Sequence, residues 1–169
     1  EALRAHGTPY RATDDGEWDF EWVGDPQQHE MTVGPALVAL GDSRLCGGPR
    51  DDFERALQKR RLGAAKDLED VILAAAKSVE SVLKVLYDEH NVKKPSKHEL
   101  GALFNGLAHA NVRVLPGYVQ QLVLAVGEPR NNMAGHGPGA TIREVPEWLA
   151  DASIAAAATA ITLLAHHLP

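Results

Sequence analysis

The feature that most constrains this chain is one apolar stripe near its middle. Leu68, Ile72, Ala75, Val79, Val82 and Leu86 follow one another at alternating steps of four and three. Side chains spaced in that way share one face of an α-helix. The stripe predicts a long amphipathic helix from about Ala64 to Glu89, ended by His90-Asn91 and then Pro95. A helix of this length needs neighbours along its apolar face, so the expected fold is all-α, an antiparallel helical bundle. Glu80 precedes Lys84 by four residues, which predicts an ion pair on the helix surface.

The remaining sequence offers those neighbours. Residues 35–41 suit a short helix capped by Gly41, after which Cys46-Gly47-Gly48-Pro49 breaks the chain. Asp51 and Asp52 stand where a helix N-terminus favours negative charge, and the helix they open turns Phe53, Ala56 and Leu57 inward. Ser96-Lys97-His98-Glu99 reads as a capping box before Leu100, Leu103, Phe104 and Leu107. Pro116 suits the first turn of a helix whose core face is Val119, Leu122, Val123 and Val126, with Gly127 as its end. Pro146 opens an alanine-rich last helix through Leu164. The expected architecture is therefore four to five main helices over residues 50–169, preceded by an N-terminal arm over residues 1–49. In that arm Trp18, Phe20 and Trp22 alternate with acids after a turn signal at Thr13-Asp14-Asp15-Gly16. Half of a β-hairpin and an irregular arm that docks its aromatics fit equally well.

Charge and cysteine content narrow the function classes. The net charge is −6, with the acidic excess mainly in the first fifty residues. A surface that binds phosphate everywhere is excluded, whereas a local basic groove is compatible. A single cysteine, Cys46, allows neither an internal disulfide nor a thiolate zinc site and fits a reducing cytoplasm. No run of eighteen apolar residues occurs, so no membrane span is expected. No signal peptide is visible. The chain starts at Glu1 without a methionine, which fits a fragment of a longer protein with an upstream domain.

Chemistry concentrates in Arg130-Asn131-Asn132-Met133-Ala134-Gly135-His136-Gly137. A guanidinium binds phosphate oxygens with a planar fork, and an imidazole moves a proton near neutral pH. The stretch suits a phosphodiester site. By spacing alone the commoner arrangement is a glycine-rich loop with an exposed histidine and a capping arginine. Glu80, Ser81 and Lys84, with Lys77 one turn before, form a second polar set. It reads either as a solvated helix face with ion pairs or as the wall of a groove beside Arg130 and His136. Arg55, Lys59, Arg60, Arg61 and Lys66 suggest an RNA track, but interspersed acids favour an ordinary solvated surface. Gly41-Asp42-Ser43 lacks the later Asp-x-x-His partner and the strands of a Gly-Asp-Ser hydrolase. His166-His167 reads as a frayed terminus. No metal site or cofactor motif is found, and the glycines around His136 lack the Gly-Lys-Ser/Thr of a phosphate loop.

The Arg130, Asn131 and His136 pattern resembles the Arg-(four to six residues)-His motif of the HEPN superfamily. It is closest to the domain named for the abortive infection protein C-terminus, whose members carry a stretch like Arg-Asn-Lys-x-Gly-x-Gly-His-Gly. Here the gap is one residue shorter, Asn132 replaces the usual lysine, and Ala134 stands near a missing glycine. Val79-Glu80-Ser81-Val82-Leu83-Lys84 is similar to that family's Glu-Ser-x-x-Lys helix, and Glu144-Val145-Pro146 precedes a similar terminal helix. The resemblance covers roughly residues 50 to 168. It implies a HEPN-like bundle and a metal-independent endoribonuclease giving 2′,3′-cyclic phosphate ends, a toxin or phage-defence effector. It further implies Arg130 and His136 as catalytic residues with Asn131, and a homodimer in which two motifs share one site. Asn132, Glu80, Ser81, Lys84 and Lys77 would support the site or bind RNA. The other expectation is a non-catalytic dimerisation or binding module of a larger defence or toxin–antitoxin system, partnered by an antitoxin or an upstream sensor domain.

Overall fold

The apolar stripe forms the helix it predicts, and the other long helices pack around it. The computed structural model describes residues 10–12, 20–22, 27, 29–62, 67–97, 99–110, 117–131 and 145–169. Among these, a short hairpin pairs β1 (Tyr10–Ala12) with β2 (Phe20–Trp22), antiparallel and with Tyr10 opposite Trp22. This realises the hairpin alternative for the arm. The turn at 13–16 and Trp18 lie outside the described residues. A π-helical turn (His29–Val33) runs into α1 (Gly34–Ala39), and α2 (Gly48–Leu62) follows. Then come α3 (Leu68–Glu89), α4 (Leu100–His109), α5 (Gly117–Pro129) and α6 (Glu147–Ala165).

All six stripe residues of α3 are buried, and so are Val71, Ala76, Leu83 and Tyr87. The buried face is wider than the stripe because α3 is sandwiched. It packs against α2 on one side and α6 on the other, and also meets α4 and α5. Phe53 and Ala56 of α2, Phe104 and Leu107 of α4, Val123 of α5 and Ile161 of α6 complete the core. The alanines of α6 let it approach closely: Ala157, Ala158 and Ala160 are buried. That same composition makes α6 long and apolar enough to cross a membrane by length and composition. Alanine, isoleucine and leucine raise its mean hydropathy although Asp151, Ser153, Thr159 and Thr162 interrupt the apolar run, and a helix that packs into a core has the same character. About one face of α6 is taken up by the core, where it contacts α1, α3 and α5.

Two helix boundaries differ from expectation, each for a local reason. Glu99 keeps an extended backbone (ψ 144°) and itself caps α4, whose first turn is closed by the Leu103 N–H on the Glu99 carbonyl at 3.0 Å. No side-chain capping bond forms there, so the Ser96–Glu99 box is not used. Gly127 does not end α5. It is buried inside the helix, and a β-carbon there would sit 3.4 Å from Leu100 Cδ1. A β-carbon at that distance would reach ordinary van der Waals contact, so the glycine packs α5 beside α4 without being required there. Gly106 in α4 is a stronger case, since a β-carbon there would collide with the Tyr87 hydroxyl. That hydroxyl donates to the Leu103 carbonyl at 2.7 Å, and burial pushes the phenol's pKa up.

The C-terminus is tied down rather than frayed. Arg44 Nη1 donates to the Pro169 carbonyl at 2.8 Å, and His90 Nε2 lies 2.7 Å from the His167 carbonyl. Arg44 also grips both oxygens of Asp42, at 2.9 and 2.8 Å. So Gly41-Asp42-Ser43 belongs to a clasp. The Arg44 side chain, and then its backbone N–H, hold the Asp42 carboxyl well below the usual carboxylate range.

Candidate functional site

Arg130 reaches its place through the end of α5. Pro129 has no N–H and crowds the carbonyl four residues back, so the regular ladder cannot continue through it. The chain widens into a π-type turn at Arg130 and Asn131. This carries the Arg130 guanidinium across to α3, where Nη1 donates to Glu80 Oε2 at 3.2 Å. The other oxygen of Glu80 accepts from Lys84 Nζ at 2.6 Å. The ion pair expected from the Glu80–Lys84 spacing is present, and Arg130 joins it. Glu80 is only 12 % exposed, so its charge is held between two cations at the rim of the core. Such a carboxylate fixes its donors more firmly than a surface pair does, because little water competes for it.

A second carboxylate works the same way one turn along. Asp52 of α2 is buried, with a side chain 7 % exposed. It lies 3.2 Å from Lys77 Nζ and 3.9 Å from Arg55 Nη1, and it accepts from Ser81 Oγ at 3.1 Å. Lys77, Glu80, Ser81 and Lys84 therefore form one polar stripe on α3, flanked by α2 and the end of α5. Sequence reasoning placed Asp52 only as a helix-start acid. The overlooked signal is its neighbours: it shares the buried side of α2 with Phe53 and Ala56, and an acid there needs partners.

Of the residues expected at the site, the structure brings together Arg130, Glu80 and Lys84, with Ser81 and Lys77 in the adjoining Asp52 network. Asn131 is exposed beside Arg130. Asn132 and His136 lie outside the described residues. The basic cluster on α2 separates into two parts. Arg55 turns to Asp52, whereas Lys59 bridges Asp67 and Asp70, at 2.9 and 3.3 Å. Arg60 bridges Asp151 and Glu147, at 2.7 and 3.0 Å. The acids that weakened this cluster as an RNA track are its partners. Among the described residues, no group of three His, Cys, Asp or Glu side chains is placed to hold a metal ion.

What the arrangement can do is hold a cationic fork in place beside further cations, which suits an anion such as a phosphodiester. The comparisons with known proteins bear on the same region. A family model described as Abi_C, HEPN-like domain, matches residues 48–168, from the start of α2 to just past the end of α6. No curated protein and no solved structure matches the chain. With the match spanning all five long helices, this chain belongs to the HEPN-like Abi_C family.

Proposed function

We propose that the protein is a metal-independent endoribonuclease whose site is built around Arg130 and His136. The observation that carries this reading is the Glu80 grip on Arg130, which presents a guanidinium on a cation-rich face directly ahead of the segment containing His136. Arg130 binds the scissile phosphate and stabilises the charge that gathers on its oxygens in the transition state. His136 removes the 2′-hydroxyl proton or protonates the leaving 5′-oxygen. The 2′-oxygen attacks phosphorus, the bond to the 5′-oxygen breaks, and a 2′,3′-cyclic phosphate remains. Asn131 orients Arg130 or contacts the phosphate, and Asn132 lies next to it in the motif. Lys84, Ser81 and Lys77 line the groove.

One histidine cannot be base and acid at once, so two chains supply the pair across a homodimer. The setting proposed is cytoplasmic, as a toxin or phage-defence effector controlled by an antitoxin or an upstream sensor domain. A second reading, a non-catalytic dimerisation or binding module, is favoured by Asn132 where relatives carry lysine. Incubation with end-labelled RNA in excess chelator separates the two. Cutting that requires Arg130 and His136 supports the enzyme. A folded protein that cuts no RNA tested supports the module.

A further inference from the structure

We propose that the α2–α3 face carrying Arg55 and Lys77 is a track that leads the backbone of single-stranded RNA to Arg130, a proposal that rests on the ribonuclease reading above. The reasoning starts from how charges are shared. In the two adjoining networks, the buried Asp52 and the largely covered Glu80 stand among four cations: Arg55, Lys77, Lys84 and Arg130. The face keeps a positive excess on a chain whose total is −6. Lys77 and Lys84 are seven residues apart on α3, about 10 Å along its axis. Arg130 joins at the Lys84 end and Arg55 at the Lys77 end, so the cations extend away from the candidate site rather than ringing it.

The tethering also suits a polyanion. Asp52 and Glu80 are nearly covered, while Lys77 and Arg55 are more than half exposed, at 58 % and 56 %. Asp52 holds the Lys77 head close to the helix surface, and both heads remain open to solvent. An ammonium has three donors, so Lys77 can keep Asp52 and still meet a phosphate. Arg55 stands at 3.9 Å from Asp52, too far for a hydrogen bond, which leaves its planar fork for a phosphate. Partial ordering beforehand lowers the entropy cost of binding. Among the described residues, the large exposed apolar side chains Met31, Val38, Tyr118 and Trp148 lie on other elements than α2 and α3, and Leu62 stands at the far end of α2, two turns beyond Arg55 and away from Lys77 and Lys84 in sequence. An acidic protein partner would be expected to bury such a residue at the centre of its contact, so the chemistry favours a nucleic-acid backbone.

The test is fluorescence anisotropy of a labelled 20-nucleotide single-stranded RNA with the full chain carrying His136→Ala, which prevents cutting. The Arg55→Gln/Lys77→Gln variant should bind at least tenfold more weakly at low salt. Its slope of log affinity against log salt should shrink by about 1.4, roughly 0.7 for each phosphate contact removed. Lys59→Gln, which removes the same kind of charge from a carboxylate-rich cluster, should bind like the parent. Circular dichroism and thermal melting confirm that each variant is folded. The inference is overturned if the parent binds no RNA, if Lys59→Gln weakens binding as much as the Arg55→Gln/Lys77→Gln variant does, or if poly-glutamate of equal charge competes as well as RNA. RNA binding that depends on Arg55 and Lys77 without any cutting by the unmutated chain would keep the track and remove the ribonuclease reading. Cutting with binding indifferent to both residues would do the reverse.

Discussion

Two charge clusters share helix α2, one turn apart, and they are built in opposite senses. At the Lys59–Arg60 end each cation sits between two carboxylates: Asp67 and Asp70 for Lys59, Asp151 and Glu147 for Arg60. On the side facing the α3 stripe each carboxylate sits between two cations. The first arrangement cancels its positive charge and fastens α2 to α6 and to the start of α3. The second leaves positive charge over and holds it in place. Helix α2 thus uses the same residue types for joining helices at one end and, in our reading, for meeting an anion at the other. The sign of the excess, not the number of basic residues, separates the two.

The sharpest way to break this comparison is to remove one arginine from each cluster. Arg130→Ala should lower the RNA-cutting rate by about 10²–10³, the usual loss when a donor to a transition-state oxyanion is removed. Its urea midpoint should stay near the parent's. Arg60→Ala should do the opposite. Its side chain is only 10 % exposed, and truncation removes packing as well as two ion pairs with more exposed acids. A stability loss of about 1 kcal/mol is expected, with cutting unchanged. If both variants lose activity equally at equal stability, the division between clusters is wrong.

Glu80→Ala should follow in size. With the grip gone, Arg130 and Lys84 lose their shared acceptor, and a misplaced guanidinium can cost about a hundredfold in turnover. Because Glu80 positions rather than binds, kcat should fall more than KM rises, and Glu80→Asp should recover part of it. A merely structural role would move melting temperature and leave the kcat to KM balance alone.

A smaller effect tests the frame on which both clusters stand. Gly106→Ala favours helix by about 1 kcal/mol in isolation. Here the new methyl group displaces the Tyr87 hydroxyl from Leu103, and a net loss of about 1–3 kcal/mol is expected. Thermal melting should show it as a fall of roughly 2–4 °C for each kcal/mol. An unchanged or raised melting point would mean that α4 and α3 yield at that contact.

The least effect at neutral pH belongs to the Asp42–Arg44 clasp. The folded Asp42 carboxyl lies below its ordinary value of 3.8. Its contribution to stability is therefore fully present above that value and is lost as pH falls through the folded one. An NMR titration of the Asp42 carboxyl should show a midpoint well below 3.8, and Arg44→Ala should return it towards the ordinary value. An ordinary midpoint in the parent would show that the clasp is not closed in solution.

Much of the fold was legible because it rests on periodicity. The α3 stripe declared both the helix and its buried face, and Glu80–Lys84 declared its ion pair. What was not legible depends on contacts between elements. Gly127 reads as a terminator in isolation, yet the helix runs on through it to Pro129, buried beside Leu100 of another helix. Ser96 and Glu99 have the spacing of a capping box, but the extended backbone at Glu99 starts α4 later than that spacing places it. His166-His167 looks frayed until His90 and Arg44 are seen to hold the tail. At the site, the sequence marked Arg130 and the α3 set and could not show that Glu80 joins them across fifty residues. Asp52 was hidden because a carboxylate at a helix start has a sufficient local explanation.

The central claim is that the cation-rich face around Arg130 cuts RNA with His136. The most direct measurement is the end chemistry of a labelled RNA incubated with the protein in excess chelator, beside Arg130→Ala and His136→Ala. The account predicts fragments ending in 2′,3′-cyclic phosphate from the parent, and almost none from either folded variant. Equal cutting by His136→Ala, or cutting that stops with the chelator, would contradict it.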